Sequence, residues 1–253
     1  MEATKNSPAL ILQRRPYREH DSLITAYTLN FGKLSLVARG TKKLRSKLAS
    51  HLEPLTLANL MIIKGRGFDY IGSALLTDSF SGIRSDLNKL YYAGRVLKLF
   101  DRLVRDSQTD GRLFFLLLDW LKFVDAYTDE FSRGVGELLS LHFTWRFLRE
   151  LGYEPALAKC LICKKELTPG KNYFNLLNGG IVCESCFVNS KGNNSQELGL
   201  ELTNLLTISD DCVKIIRFII NNPSTLVHKI KINKKLLSEL GQLTQGFLNF
   251  VNN

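Results

Sequence analysis

The sequence predicts an α+β protein in which a small β-barrel precedes a mainly α-helical domain with an inserted cysteine-rich element. Apolar and polar residues alternate through much of the first eighty residues, which is the period of a strand. From Ser85 onward, apolar residues recur at three- and four-residue spacing, and two C-x2-C pairs interrupt this helical pattern. We therefore predict domains at 1–80 and 81–253, with the insertion at about 156–198.

Five strands are expected in the first domain. They are predicted at PALILQR, at 22–30, 32–40, 55–65 and 68–80, with a tight turn at Arg66-Gly67 between the last two. No helical pattern intervenes, so the strands fit a closed or nearly closed barrel. The oligonucleotide/oligosaccharide-binding (OB) barrel has this strand count, and SH3-like barrels also meet the description.

Helices are predicted at 85–104, 113–124, 135–147, 210–221 and 234–251. Ser85-Asp86 provides a cap for the first of them, while Gly152 and Pro155 end the third. Cys212 lies on a helical pattern beside Val213 and Ile216, which predicts a buried small side chain.

The net charge of +10 is concentrated near the start of the chain. Residues 13–47 contain nine basic residues against two acidic ones, a local net charge of +7. The basic residues are Arg14, Arg15, Arg18, Lys33, Arg39, Lys42, Lys43, Arg45 and Lys47. Five of these lie in the longest polar interruption, at 38–54, which is predicted to be a loop of the barrel. Such a segment indicates a polyanion partner, most simply nucleic acid, although a solvated face is the alternative.

The two C-x2-C pairs are Cys160/Cys163 and Cys183/Cys186, separated by nineteen residues. Four thiolates in two close pairs match tetrahedral Zn²⁺ at a spacing typical of zinc sites. Two disulfides or an iron cluster are the competing interpretations. A catalytic zinc keeps one position open for water, whereas four cysteines close the shell, so a structural zinc is predicted.

The enzyme motifs that the sequence partly matches are each incomplete. His51-Leu52-Glu53 resembles half of a zinc deaminase signature, but Lys159 stands where the other half requires proline. GQLTQGF has the glycine spacing of a phosphate loop, with Phe247 in place of its lysine. The chain is therefore predicted to bind rather than to catalyse. With no signal-peptide pattern and no run of 18 apolar residues, a cytoplasmic location without a membrane is expected.

Two segments resemble a known family. LGYEPALAKCLICKKEL and YFNLLNGGIVCESC are similar to the zinc region of the bacterial recombination mediator family RecO. REHDSLITAYTLNFGKLSLVARGTKKLRSKL resembles the barrel strands of the same family, including the basic loop between strands 3 and 4. The similarity extends from about Leu10 to the final helix.

The resemblance implies an OB barrel joined to a helical domain with an inserted zinc element. It implies binding to single- and double-stranded DNA, annealing of strands covered by single-strand-binding protein, and cooperation with RecR to load RecA, in the bacterial cytoplasm at the nucleoid. By position, the zinc ligands are Cys160, Cys163, Cys183 and Cys186. The implied DNA contacts are Arg39, Lys42, Lys43, Arg45 and Lys47, to which charge alone adds Arg14, Arg15 and Arg18. The family's pocket for the acidic tail of single-strand-binding protein is expected in the helical domain.

Two further alternatives remain at the level of sequence. An RNA-binding or ribosome-associated scaffold can share the same barrel and zinc element, and a nuclease is a third class. Tyr17, Tyr27, Phe31 and Tyr70 can either stack on bases or fill the barrel core, since alternation alone does not tell inside from outside.

Overall fold

The computed structural model describes residues 4–43, 45–192 and 204–251. The chain divides into two compact units, Met1–Phe131 and Ser132–Asn253. The first unit contains the barrel and three helices, and the second contains five helices and a small sheet among the described residues. Residues 193–198 of the predicted insertion lie outside the described part of the chain.

Five strands form the barrel of the first unit. They are β1 (Thr4–Pro16), β2 (Ser22–Thr28), β3 (Gly32–Ala38), β4 (Thr56–Ile63) and β5 (Asp69–Asp78). The barrel is closed in the order β1-β2-β3-β5-β4, and β1 pairs antiparallel with both β2 and β4. β3 and β5 run parallel, with Leu36 opposite Asp69 and Val37 opposite Tyr70. The predicted fold class is confirmed, and this Greek-key arrangement is that of the OB-fold.

The barrel interior explains the alternation in the sequence. Inward positions carry small and branched apolar residues in turn, such as Ala9 and Ile11 on β1 or Ile24 and Ala26 on β2. The short 3-10 helix Ser50–Leu52 contributes Leu52, which is fully buried in the same cluster. Because successive side chains of a strand point to opposite faces, the outward positions remain available to solvent and to the following helices.

Three helices complete the first unit: α1 (Ser81–Arg84), α2 (Leu87–Leu103) and α3 (Gly111–Asp125). Asp86 caps α2 by accepting hydrogen bonds from the backbone N–H groups of Asn88 and Lys89 at 2.8 and 3.1 Å. Tyr27 is fully buried, lies edge-on to Phe100 at 4.9 Å, and donates its hydroxyl hydrogen bond to the Asp110 carbonyl. Tyr27 therefore joins the barrel to these helices and is not available for base stacking.

The second unit is built around α4 (Arg133–Glu150). Within the described part of this unit, the other helices are α5 (Glu184–Gly192), α6 (Asp210–Asn221), α7 (Ser224–Val227) and α8 (Lys234–Val251). The strands β6 (Asn172–Asn175), β7 (Gly180–Cys183) and β8 (Leu205–Ile208) form an antiparallel sheet in the order β7-β6-β8.

α4 is buried over most of its surface because it packs between α6 and α8. Trp145 stacks on Phe247 with ring centroids 5.6 Å apart and donates its indole N–H to Thr244. Cys212 is fully buried on α6, as predicted. No helix among the described residues is both long enough and apolar enough to cross a membrane.

Candidate metal centre and nucleic-acid interface

The four cysteines of the two C-x2-C pairs come together in the second unit. Their Sγ atoms all lie within 4.8 Å of one another, and those of Cys163 and Cys183 are 4.0 Å apart. A tetrahedral ion with metal–sulfur distances of about 2.3 Å separates its sulfur ligands by about 3.8 Å. The cluster therefore fits a four-sulfur metal site with little rearrangement.

The first pair lies on a tight turn held against β7. Lys164 adopts a positive φ of 60° and donates its backbone N–H to the Cys160 carbonyl at 3.1 Å. Leu161 donates to the Ile181 carbonyl at 2.8 Å, which fixes the turn to the strand. A Cβ at Gly180 would lie 2.7 Å from the Leu161 side chain, so only glycine allows this close approach.

The second pair occupies a strand-to-helix junction. Cys183 is the last residue of β7, and Cys186 lies in the first turn of α5. The hairpin of β6 and β7 turns at Gly179, which has a φ of +58°, and returns the chain toward the first pair. We call residues 156–192 the cysteine element.

Electrostatics within the cluster favour a bound cation. Burial alone would raise the pKa of the Cys160 thiol, but hydrogen bonds from the backbone N–H groups of Cys183, Cys163 and Ile162 outweigh it and lower the pKa to about 7. Burial and the neighbouring thiols raise the pKa of Cys186 to about 12. Four thiolates this close repel one another unless a metal ion shares their charge. The closed set of sulfur ligands suits a structural ion rather than a catalytic one.

The basic loop between β3 and β4 is attached to the loop between β1 and β2. Lys42 donates its backbone N–H to the His20 carbonyl at 3.1 Å and its ammonium to the Arg18 carbonyl at 2.9 Å. The backbone N–H of Gly40 donates to the Asp21 carboxylate at 2.8 Å. The predicted DNA contacts of this loop are all exposed; they are Arg39, Lys42, Lys43, Arg45 and Lys47.

The side chain of Arg14 is mostly buried beneath the β3–β4 loop and binds several of its residues. Its guanidinium forms an ion pair with Glu53 and donates to the carbonyls of Ala49 and Thr41 at 3.1 and 3.2 Å. It also donates to the Ser22 hydroxyl at 3.3 Å, and only 18% of the side chain is exposed. A phosphate contact by Arg14 stays a prediction and would compete with these bonds. The adjacent Arg15 is exposed.

Two exposed aromatic rings lie among these cations. Tyr17 and Phe68 are 38% and 42% exposed, and their rings meet edge to face at 5.7 Å. The Arg18 guanidinium lies 5.3 Å from the Tyr17 ring, and that of Arg39 lies 4.0 Å from the Tyr70 ring. The loops β1–β2, β3–β4 and β4–β5 thus meet at one end of the barrel.

We call this combined area the loop surface. It consists of Arg15, Tyr17, Arg18, Arg39, Lys42, Lys43, Arg45, Lys47, Lys64, Arg66 and Phe68. The sequence predicts a strand from Phe68, but this residue lies in the turn before β5. Its place immediately after the glycine turn Gly65-Arg66-Gly67 is the signal that predicts exposure. Phe31 is half-buried and packs against the barrel core.

His142 is unsuited to proton transfer near neutral pH. It is buried on α4, and its Nε2 atom lies 2.9 Å from the Asn222 carbonyl. Burial lowers the pKa of this imidazole to about 4, with a smaller contribution from Arg146, against the hydrogen bond to Asn222. The ring is therefore neutral at pH 7, donates to the carbonyl, and stabilises the packing of α4.

Two protein-family models and several named proteins match the sequence of this chain. Residues 1–80 match the family model described as Recombination protein O N terminal, and residues 84–251 match Recombination protein O C terminal. A DNA repair protein RecO from Desulforamulus reducens is 27% identical over 96% of this chain and 87% of its own length. Two others, from Dehalococcoides mccartyi and Roseiflexus, are 28% and 29% identical over 96% of this chain, and cover 88% and 79% of their own lengths. The chain belongs to the RecO family of DNA repair and recombination proteins.

Proposed function

We propose that this chain is a recombination mediator that binds single- and double-stranded DNA through the loop surface and anneals complementary strands. In this proposal it cooperates with RecR to load RecA on strands covered by single-strand-binding protein, whose tail binds the helical domain. The observation that carries the proposal is the pair of exposed rings, Tyr17 and Phe68, set among exposed cations on an OB barrel.

The cations of the loop surface act on the phosphate backbone. Annealing is driven by base pairing, and the main obstacle is the repulsion between two phosphate chains. The side chains of Lys43, Arg45 and Lys47 form no ion pair and no hydrogen bond with any described residue. These charges can screen that repulsion while the bases stay free to pair. About four phosphate contacts would give a log–log salt slope near −3 for a single strand.

The aromatic rings act on the bases. Stacking of a base on an aromatic ring is worth about 1–3 kcal/mol and tolerates any base. Tyr17 and Phe68 belong to different loops, so a strand that contacts both must cross the end of the barrel. Only unpaired bases present their faces to such rings, which favours single strands over duplex.

The metal has a structural role in this proposal, and no bond of the nucleic acid is broken. The four cysteines would hold Zn²⁺, which supplies the charge compensation that fixes the cysteine element. In this proposal, the DNA-binding domain ends near residue 80, and the loop surface within it contacts the DNA. The partner contacts with RecR and with the tail of single-strand-binding protein then lie outside this surface.

The test removes three charges from the loop surface. The variant Lys42→Ala/Lys43→Ala/Arg45→Ala is compared with Lys98→Ala/Arg102→Ala/Lys122→Ala, which removes three exposed charges from α2 and α3. Fluorescence titration of a single-stranded oligonucleotide across salt should show a slope flatter by about 2 for the loop variant alone, with slower annealing.

An unchanged slope in the loop variant would overturn the assignment of the loop. Tighter binding of RNA than of DNA of equal length would support an RNA-binding scaffold instead. Incubation of labelled DNA with Mg²⁺ or Mn²⁺ should leave the strands intact, and cleavage would refute a mediator that breaks no bonds.

A further inference from the structure

The second unit carries a cationic segment of its own. From Cys212 to Asn253 the sequence contains six basic residues and a single acidic residue, Glu239, for a net charge of +5. Four of the six are lysines within seven residues, at Lys229, Lys231, Lys234 and Lys235. Residues 222–238 contain no aspartate or glutamate. The charge is therefore uncompensated along the chain.

The structure places these lysines at the surface for a definite reason. Lys229 and Lys231 alternate with Ile230 and Ile232 between α7 and α8, and the isoleucines are half-buried while the lysines are exposed. Lys234 and Lys235 begin α8 and are exposed, whereas the next two residues, both leucines, are half-buried. The apolar side chains thus anchor the segment and direct the ammonium groups into solvent.

Nothing among the described residues neutralises these ammonium groups. No ion pair or side-chain hydrogen bond involves any of the four lysines in that part of the chain. Glu239, the one nearby acid in the sequence, accepts hydrogen bonds from the Ser209 backbone N–H at 2.6 Å and from its hydroxyl at 2.9 Å. That carboxylate is held by β8 and α6 rather than by the lysines.

A groove continues from this segment. Lys235 lines a groove of about 830 Å³ together with Lys171, Tyr173 and Gln242. Ser209, Ser238 and Glu239 also line it, so the lining includes one carboxylate, although most of the lining is apolar. We define the lysine surface as Lys171, Lys229, Lys231, Lys234 and Lys235.

We propose that the lysine surface binds the phosphate backbone of a second nucleic acid strand. This inference rests on the proposed function, since it concerns how annealing is carried out. Ammonium groups on flexible stems bind phosphates as point charges without needing a fixed shape. An acidic peptide is the competing ligand. Lys229, Lys231 and Lys234 lie outside the lining of the groove, which suits an extended phosphate backbone better than a short tail seated in the groove.

The lysine surface gives annealing a second site on the same chain. One strand binds the loop surface of the first unit, and its complement binds the lysine surface of the second. Each unit then neutralises the phosphates of one strand, so both strands are held by a single chain before they pair. Holding the reactants together raises their effective concentration.

The first experiment locates the contact directly. The full chain is acetylated at limiting reagent with and without an oligothymidine strand, and the modification of each lysine is read by mass spectrometry. We expect DNA to protect Lys229, Lys231, Lys234 and Lys235, while Lys98 and Lys122 on the first unit stay reactive. Equal reactivity of the four lysines with and without DNA overturns the inference.

The second experiment counts strands. The variant Lys231→Ala/Lys234→Ala/Lys235→Ala is compared with Lys98→Ala/Arg102→Ala/Lys122→Ala, which loses the same charge elsewhere. Titration with a short oligonucleotide should saturate at two strands per wild-type or control chain and at one strand per lysine variant. Annealing by the lysine variant should slow by about tenfold, since one of its two strands is no longer held.

The outcomes separate this inference from the proposed function. If the wild-type chain binds no DNA even at low salt, the proposed function fails. If it binds one strand per chain and the lysine variant anneals like its control, only the second site is refuted. If polyglutamate of matched charge protects the lysines and DNA does not, the ligand is an acidic peptide and the inference is also refuted.

Discussion

The barrel and the cysteine element are stabilised in different ways. The barrel encloses a continuous apolar cluster that draws residues from all five strands and from the 3-10 helix. The β6–β7 hairpin of the cysteine element buries Phe174, Ile181 and Val182, but residues 163–166 and 168–171, between the two cysteine pairs, are exposed. The segment 163–171 therefore lacks the apolar burial that stabilises a strand pair. A metal ion bound by the four cysteines would take the place of a core for that segment.

Loss of the metal should produce the largest effect. Cys163→Ser removes one of the four clustered thiols at the exposed edge of the cluster, whereas Cys212→Ala removes a buried thiol outside the cluster. Zinc-finger peptides gain about 10–16 kcal/mol of apparent free energy from their ion, and a site within a larger unit should gain less but still several kcal/mol.

Elemental analysis should find one zinc ion per wild-type chain and per Cys212→Ala chain, with a clear loss in Cys163→Ser. Limited proteolysis should then cut the cysteine element first and leave the barrel intact. A Cys163→Ser protein that resists protease as well as the wild type would refute the view that the metal replaces a core.

The barrel should respond to a loss of apolar volume instead. Leu60 is fully buried at the centre of β4, while the preceding residue, Asn59, is exposed on the same strand. Leu60→Ala should lower the free energy of unfolding by about 2–5 kcal/mol, because it removes buried methyl groups and leaves a cavity. Asn59→Ala should change it by less than about 0.5 kcal/mol.

Denaturant unfolding with and without a chelator measures both values. The cost of Leu60→Ala should be the same whether or not metal is present, since the barrel core contains no ligand of the ion. If the cost of Leu60→Ala depended on metal, the two regions would not be stabilised independently.

The sequence could predict the features that depend on local patterns, but not those that depend on tertiary contacts. Strand alternation, the Asp86 cap and the cysteine spacing are local patterns, so the barrel, α2 and the clustering of the four cysteines follow from them. The burial of Tyr27 depends on α2 and α3, and the tether at Arg14 depends on Glu53, far away in sequence. The pairing of Glu239 with Ser209 is likewise a tertiary contact, and it leaves the lysine surface without a neutralising acid. Such contacts leave no periodic signal.

Acid should weaken the second unit through His142 as well as through any metal site. The pKa of this imidazole is about 4 in the folded chain and near 6.5 when exposed, so the unfolded chain binds the extra proton first. Stability should therefore be complete above about pH 6.5 and fall as the pH decreases toward 4, by up to about 3 kcal/mol.

His142→Gln provides the comparison because its amide can still donate to the Asn222 carbonyl. Chemical unfolding of metal-free protein at several pH values should show a smaller dependence between pH 6.5 and 4 in this variant. Equal slopes in the two proteins would show that His142 does not carry the acid sensitivity.

The smallest expected effect on stability comes from removing the exposed aromatic rings of the loop surface. These variants test whether DNA binding can be weakened while the barrel keeps its fold. Tyr17→Ala and Phe68→Ala each remove an exposed ring, so the free energy of unfolding should change by less than about 0.5 kcal/mol. Single-strand affinity should fall by about 1–3 kcal/mol per ring if each stacks on a base, while duplex affinity should hold because paired bases hide their faces. Tyr17→Phe keeps the ring and should bind like the wild type. Fluorescence anisotropy with matched single and double strands measures the difference; an equal loss for both would mean that the rings shape the loops rather than contact bases.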